Sequence, residues 1–173
     1  MADNFHGCLA FILKAEGGWS DDPSDHGGCT MRGITLQAYQ AYRGNPALTC
    51  ADLQQIGVLD VTAFYHDQYW VPLQAQILPL GVDLMVVDCA VNIGSLHSVE
   101  LLQGQIGVTA DGVIGPMTMT AVWQIDAETL ISSLADAQSL YYQNLPQYAI
   151  FGEGWLNRVQ AREAAALAMS KIS

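Results

Sequence analysis

Residues 16–35 read EGGWSDDPSDHGGCTMRGIT, and no helix can run through them. Pro23 lacks the N–H that an inner helical turn needs, and the glycines lower helix stability further. Apolar residues at helical spacing precede the stretch and follow it, so it is a loop or short hairpin set between two helices. It holds four carboxylates, five glycines, a tryptophan, a histidine and an arginine. Gly17-Gly18 suit a left-handed C-cap, which places Glu16 in the last turn of the first helix. There the helix dipole, with Trp19 nearby in sequence to exclude water, disfavours the charged carboxylate and suits a proton donor. A chain folding back at Gly27-Gly28 sets Asp25 and Thr30 opposite Glu16. One protonated acid facing one ionised carboxylate is the minimum equipment of a glycosidase. Taken alone, an acidic glycine-rich loop is more often a solvated turn with capping aspartates.

The rest of the chain keeps a helical period. Asn4 opens the first helix, with Phe5, Leu9, Ile12 and Leu13 on one side. Thr35 caps a helix through Leu36, Tyr39 and Tyr42 that stops at Gly44-Asn45-Pro46. A short helix is expected over residues 50–56. Asp60 caps the next, which carries Val61, Phe64, Tyr65 and Tyr69 and ends at Trp70 before Pro72. Residues 82–93 are nearly continuous apolar sequence, too long for a strand, and read as a buried central helix. Asp88 and Asn92 share one face of it, where they need partners or line a cleft. Further helices begin at Ser95, at Pro116 and after Asp126, and the last is expected from about Glu153 to Ser170. The fold class is therefore all-α, with a short loop or hairpin carrying the active site.

Bulk composition narrows the function. A chain of 173 residues with 51% hydrophobic and 13% charged residues forms a globular core. No apolar run approaches the roughly 18 residues that span a membrane. Residues 8–13 are too short, and lack the basic flank, to read as a signal peptide. Seventeen acids against six bases give a net charge of −11, which excludes nucleic acid as a partner. Binding of sugar by so acidic a chain must rest on aromatic and hydrogen-bond contacts. His6, His26, His66 and His97 are scattered, and no HExxH, GxSxG, P-loop or GxGxxG occurs, so no metal or cofactor is expected. Cys8 and Cys89 lie on apolar helical patterns and read as buried thiols. Four cysteines allow three pairings, and spacing does not choose among them. Cys29 beside His26 is a weak nucleophile pair.

The stretch at residues 16–35 resembles the signature of the N-acetylmuramidases of glycoside hydrolase family 108, which include phage endolysins and proteins once labelled secretion activators. Glu16-Gly17-Gly18, Asp22-Pro23, Asp25, Gly27-Gly28, Thr30 and Gly33-Ile34-Thr35 match it. The departures are His26 in place of Pro and Met31 in place of Asn. Tyr69-Trp70-Val71-Pro72, the residues 87–94 around Asp88 and Asn92, and Gly154-Trp155-Leu156-Asn157-Arg158 fall in the family's order. The DGVIGPMT string at residues 111–118 is similar to the turn of peptidoglycan-binding three-helix modules, and is also a plain tight connection between helices.

The resemblance implies a lysozyme-like muramidase that hydrolyses the β-1,4 bond after N-acetylmuramic acid, with residues 1–94 catalytic and residues 95–173 peptidoglycan-binding-like, packed as one compact unit. Glu16 is then the general acid, and Asp25 holds or deprotonates the water with help from Thr30. Asp22 competes for the base role. Trp19, Arg32, Tyr69, Trp70 and Asn92 are the expected sugar-binding residues, with core packing the alternative for Tyr69 and Trp70. Peptidoglycan is the expected partner of a monomer held in the cytoplasm until a holin or another route exports it to the wall. Two rivals stand beside this reading. A lytic transglycosylase needs Glu16 and no second carboxylate, and a wall-binding or secretion accessory protein needs no catalytic residue at all.

Overall fold

The computed structural model describes residues 4–21 and 28–171. Helices α1 (Phe5–Glu16), α2 (Leu36–Arg43), α3 (Cys50–Gln54), α4 (Val58–Tyr65), α5 (Val82–Ile93), α6 (Ser95–Gln105), α7 (Pro116–Val122), α8 (Ala127–Gln143) and α9 (Tyr148–Ser170) carry the fold. Strands β1 (Trp19–Ser20), β2 (Thr30–Met31) and β3 (Ile34–Thr35) form one small antiparallel sheet in that order. At 69% helix, the molecule is mostly helical, as the sequence period implies, in keeping with the lysozyme-like class that the resemblance implies. No helix among the described residues is long and apolar enough to cross a membrane.

The chain divides into two compact units, one of Phe5–Gln68 and one from Tyr69 onward that also takes in Asn4. This boundary falls before residue 94, where the sequence reading separates the catalytic from the peptidoglycan-binding-like part.

In the first unit, α1 buries Phe5, Cys8, Leu9 and Ile12, the stripe its spacing requires. Gly17 follows at φ +70°, a left-handed conformation that ends the helix at Glu16. Thr35 caps α2 by accepting from the Ala38 N–H at 3.1 Å, and Gly44 closes it in the left-handed region. At α4 the cap differs from expectation. Asp60 lies inside the first turn, where its carboxylate accepts from the Gly57 N–H at 3.2 Å. An aromatic chain of edge-to-face contacts links Tyr42 to Phe64 at 5.3 Å and Phe64 to Tyr65 at 5.7 Å, joining α2 to α4. A disulfide joins Cys29 to Cys50, with Cα atoms 5.9 Å apart, and so ties the start of β2 to the start of α3.

The second unit is built around α5, in which every residue from Val82 to Ala90 is buried. Asp88 is fully buried there and is not a cleft residue. Arg158 forks onto it at 2.7 and 3.2 Å, and the equally buried Arg162 donates to it at 2.6 Å. Gln138 on α8 completes the cluster, accepting from Arg162 and donating to the Met85 carbonyl. Paired charges of this kind hold α9 to α5 in one register. Helix α9 starts at Tyr148, several residues before the expected start. Gly152 and Gly154 weaken a helix but do not break one that is packed along its length.

Candidate active site

The three strands are only two residues long each, yet they sort the signature residues onto two faces. Directly opposed residues in an antiparallel pair share a face. Trp19, Met31 and Ile34 form one row, and Ser20, Thr30 and Thr35 form the other. Ile34 is buried, so the Trp19 row is the one set toward the core. The connection from β2 to β3 is the two-residue turn Arg32-Gly33, with φ at +50° and +79°. Paired positive φ values define the tight turn whose twist suits a hairpin. Arg32 is thus a non-glycine residue in the left-handed region, a conformation that must be held by its surroundings. Two hydrogen bonds hold it. Its N–H donates to the Gly18 carbonyl at 3.0 Å, and its own carbonyl accepts from the Tyr65 hydroxyl at 2.8 Å.

Glu16 meets this turn. A Cβ placed on Gly33 would lie 2.7 Å from Glu16 Oε2, 2.9 Å from Glu16 Cγ and 2.7 Å from the Tyr65 hydroxyl oxygen. The carboxyl group, the turn and the phenol therefore converge on one small volume that only glycine leaves open. The G-I-T ending of the signature has a separate physical reason at each position: clearance for Glu16 at Gly33, core packing at Ile34 and a helix cap at Thr35.

The other expected site residues divide by unit. Glu16, Trp19, Thr30 and Arg32 belong to the first, and the end of α1 and the small sheet position them. Trp19 and Arg32 are half-buried, and the Arg32 guanidinium has no hydrogen-bond or ion-pair partner among the described residues. Asp25 and its competitor Asp22 lie outside the described residues, as does His26. Cys29 is buried and disulfide-bonded, which removes it as a nucleophile. In the second unit, Tyr69 is half-buried and Asn92 is exposed. The Asn92 amide donates to the Asp88 carbonyl of its own helix, leaving its side-chain oxygen open. Trp70 is only 1% exposed and is among the largest fully buried side chains, so it is core and offers no ring face to a sugar.

The DGVIGPMT turn is likewise used internally. Gln103 on α6 donates to Asp111 at 2.7 Å, to the Val113 carbonyl at 3.0 Å and to Thr118 at 3.2 Å, and accepts from the Gly112 N–H at 2.9 Å. Asp111 also accepts from the Val113 N–H, and these bonds hold its carboxyl below the usual range. The motif's polar atoms thus fold the turn, and α7 starts at its Pro116 as expected. Beside the turn, Val108, Pro116, Met117, Thr120, Ala121 and Gln124 line an open groove of about 360 Å³.

Sequence reasoning missed Tyr65 and Cys50. Tyr65 reads as one more apolar position on α4, but a tyrosine at a buried place needs a partner for its hydroxyl, and that was the available signal.

Comparison with known proteins decides the family. The glycosyl hydrolase 108 model matches residues 9–94, and a predicted peptidoglycan domain matches residues 97–160. The solved structure of SagA from Brucella abortus is 35% identical, with a TM-score of 0.89 over 96% of this chain and 95% of that one. The chain belongs to glycosyl hydrolase family 108. No curated protein matches the sequence. As a member of the family followed by a peptidoglycan domain, the chain is a glycoside hydrolase acting on peptidoglycan, which places its work at the cell wall.

Proposed function

We propose that this family 108 hydrolase is an N-acetylmuramidase of the lysozyme type. It cleaves the β-1,4 bond between N-acetylmuramic acid and N-acetylglucosamine, with Glu16 protonating the glycosidic oxygen. The observation that carries the reading is the convergence of the Glu16 carboxyl, Gly33 and the Tyr65 hydroxyl at the end of α1. A carboxyl group held at one place beside an exposed turn is what general acid catalysis asks of its donor. Asp25 is the base that activates water on the far face of the sugar, and Thr30 helps to hold that water. Two carboxyl groups with a water between them invert the anomeric centre.

Trp19, Tyr69, Arg32 and Asn92 supply sugar contacts: ring faces for the pyranoses, and polar groups for N-acetyl and lactyl oxygens. Residues 95–173 add wall affinity. The Cys29–Cys50 disulfide fits an oxidising compartment on the wall side of the membrane, reached through a holin or a similar route.

The test is side-by-side kinetics of Glu16→Gln, Asp25→Asn and Asp22→Asn, with the anomer of fresh product read by NMR. Glu16→Gln should lose about 10²–10⁴-fold in rate while keeping the fold. Asp25→Asn should fall similarly and Asp22→Asn should stay near wild type, with the α-anomer formed first. Retained activity in Glu16→Gln removes the acid assignment. A β-anomer, or loss in Asp22→Asn alone, removes the role of Asp25.

A further inference from the structure

We propose that Tyr65 is a positioning residue for Glu16, acting through the Arg32-Gly33 turn. The inference rests on the reading of Glu16 as general acid and names the part of the fold that fixes its carboxyl group. Tyr65 is 2% exposed, and its ring lies edge-to-face on Phe64, which itself meets Tyr42. The phenol therefore has little freedom, and its hydroxyl delivers a hydrogen bond to the Arg32 carbonyl. That bond restrains the backbone on one side of Gly33, while the Arg32 N–H bond to Gly18 restrains it just beyond the end of α1. A non-glycine residue at φ +50° stays there only while such contacts hold it.

Gly33 transmits the restraint. Its missing side chain lets the Glu16 carboxyl and the Tyr65 hydroxyl both approach the turn to within the space a methyl group would fill. The turn is thus one wall of the place where the Glu16 carboxyl sits, and Tyr65 sets where that wall stands. Without the hydroxyl, the Arg32 carbonyl loses its partner and the turn can relax away from the acid. A misplacement of about 1 Å at a catalytic group costs on the order of 10²-fold in rate. A buried tyrosine that merely satisfied a carbonyl would behave otherwise: its loss would weaken the fold and leave catalysis by the folded enzyme unchanged.

The experiment compares Tyr65→Phe and Glu16→Gln on two substrates. One is a soluble glycan fragment of peptidoglycan, whose sugar leaving group needs a proton. The other is a 2,4-dinitrophenyl glycoside of the same oligosaccharide, whose leaving group departs without one. Tyr65→Phe should lose about tenfold or more in kcat on the glycan, with KM within about twofold, and should stay near wild type on the aryl glycoside. Gly33→Ala, whose methyl group would meet both the Glu16 carboxyl and the Tyr65 hydroxyl, should show the same leaving-group pattern. Wild-type kcat on the glycan in either variant, or an equal loss on both substrates, overturns the positioning role while leaving Glu16 as the acid. If Glu16→Gln itself loses equally on both substrates, the acid assignment falls and the role of Tyr65 falls with it.

Discussion

Gly33 and Asp88 show how one residue can be fixed by demands that come from different places. At Gly33 a positive φ and the nearness of Glu16 both exclude a side chain, so the turn and the acid depend on the same missing atoms. Asp88 is held by the opposite logic, for it is kept by what surrounds it. Two arginines donate to its carboxylate, and it has no exposure to water at all. Removing one member of a buried ion cluster strands the others, and that cost exceeds the value of the pair itself. Asp88→Ala should therefore lower unfolding free energy by about 3–5 kcal/mol, because Arg162 keeps its charge in a dry site. Urea unfolding followed by circular dichroism measures this directly. A loss under about 1 kcal/mol would mean that the cluster is solvated and not a structural lock.

At the scale of elements, the disulfide and the small sheet form one device. The sheet has only three two-residue strands, too little to be stable alone. The Cys29–Cys50 bond supplies a covalent tie between its central strand and α3, closing a span of 21 residues. Loop-closure entropy values such a tie at about 3 kcal/mol. The Cys29→Ser/Cys50→Ser double variant should lose stability on that order in denaturant unfolding, and wild type with reductant should shift to match it. Coincident unfolding of oxidised and reduced wild type would show that the tie carries nothing. Helix α5 was legible to its last residue, because a continuous apolar run bounded by glycines leaves one reading. So were the Gly17 stop after Glu16 and the Thr35 cap, since each rests on local chemistry. The Cys29–Cys50 pairing and the Tyr65 contact were not legible, because both join segments far apart in sequence. Nothing in a local pattern records which distant partner completes a bond. The early start of α9 was hidden for another reason: Gly152 lowers helix propensity just before the expected start, and packing along the helix outweighs it. Trp70 matched a family motif and an aromatic-cleft pattern alike, and only its burial separates core from cleft.

For the whole molecule, charge and substrate class set the expectations. A net charge of −11 gives no electrostatic attraction to an anionic wall, so affinity for peptidoglycan must come from stacking and hydrogen bonds to sugar. Binding to purified sacculi should then change little between low and physiological salt, as a sedimentation assay can show. A steep loss of binding across that range would reveal a basic patch that the composition hides. The proposed mechanism demands something narrower: that this glycoside hydrolase cuts after N-acetylmuramic acid and adds water in doing so. Mass spectrometry of purified peptidoglycan digested by the wild-type chain, with product ends identified after borohydride reduction, tests it most directly. A muramidase leaves reducible N-acetylmuramic acid ends, and those are expected as the dominant new termini. Anhydro-muramyl ends would show a lytic transglycosylase, and reducible N-acetylglucosamine ends a cut at the other bond; either result would contradict the mechanism built on Glu16 and Asp25.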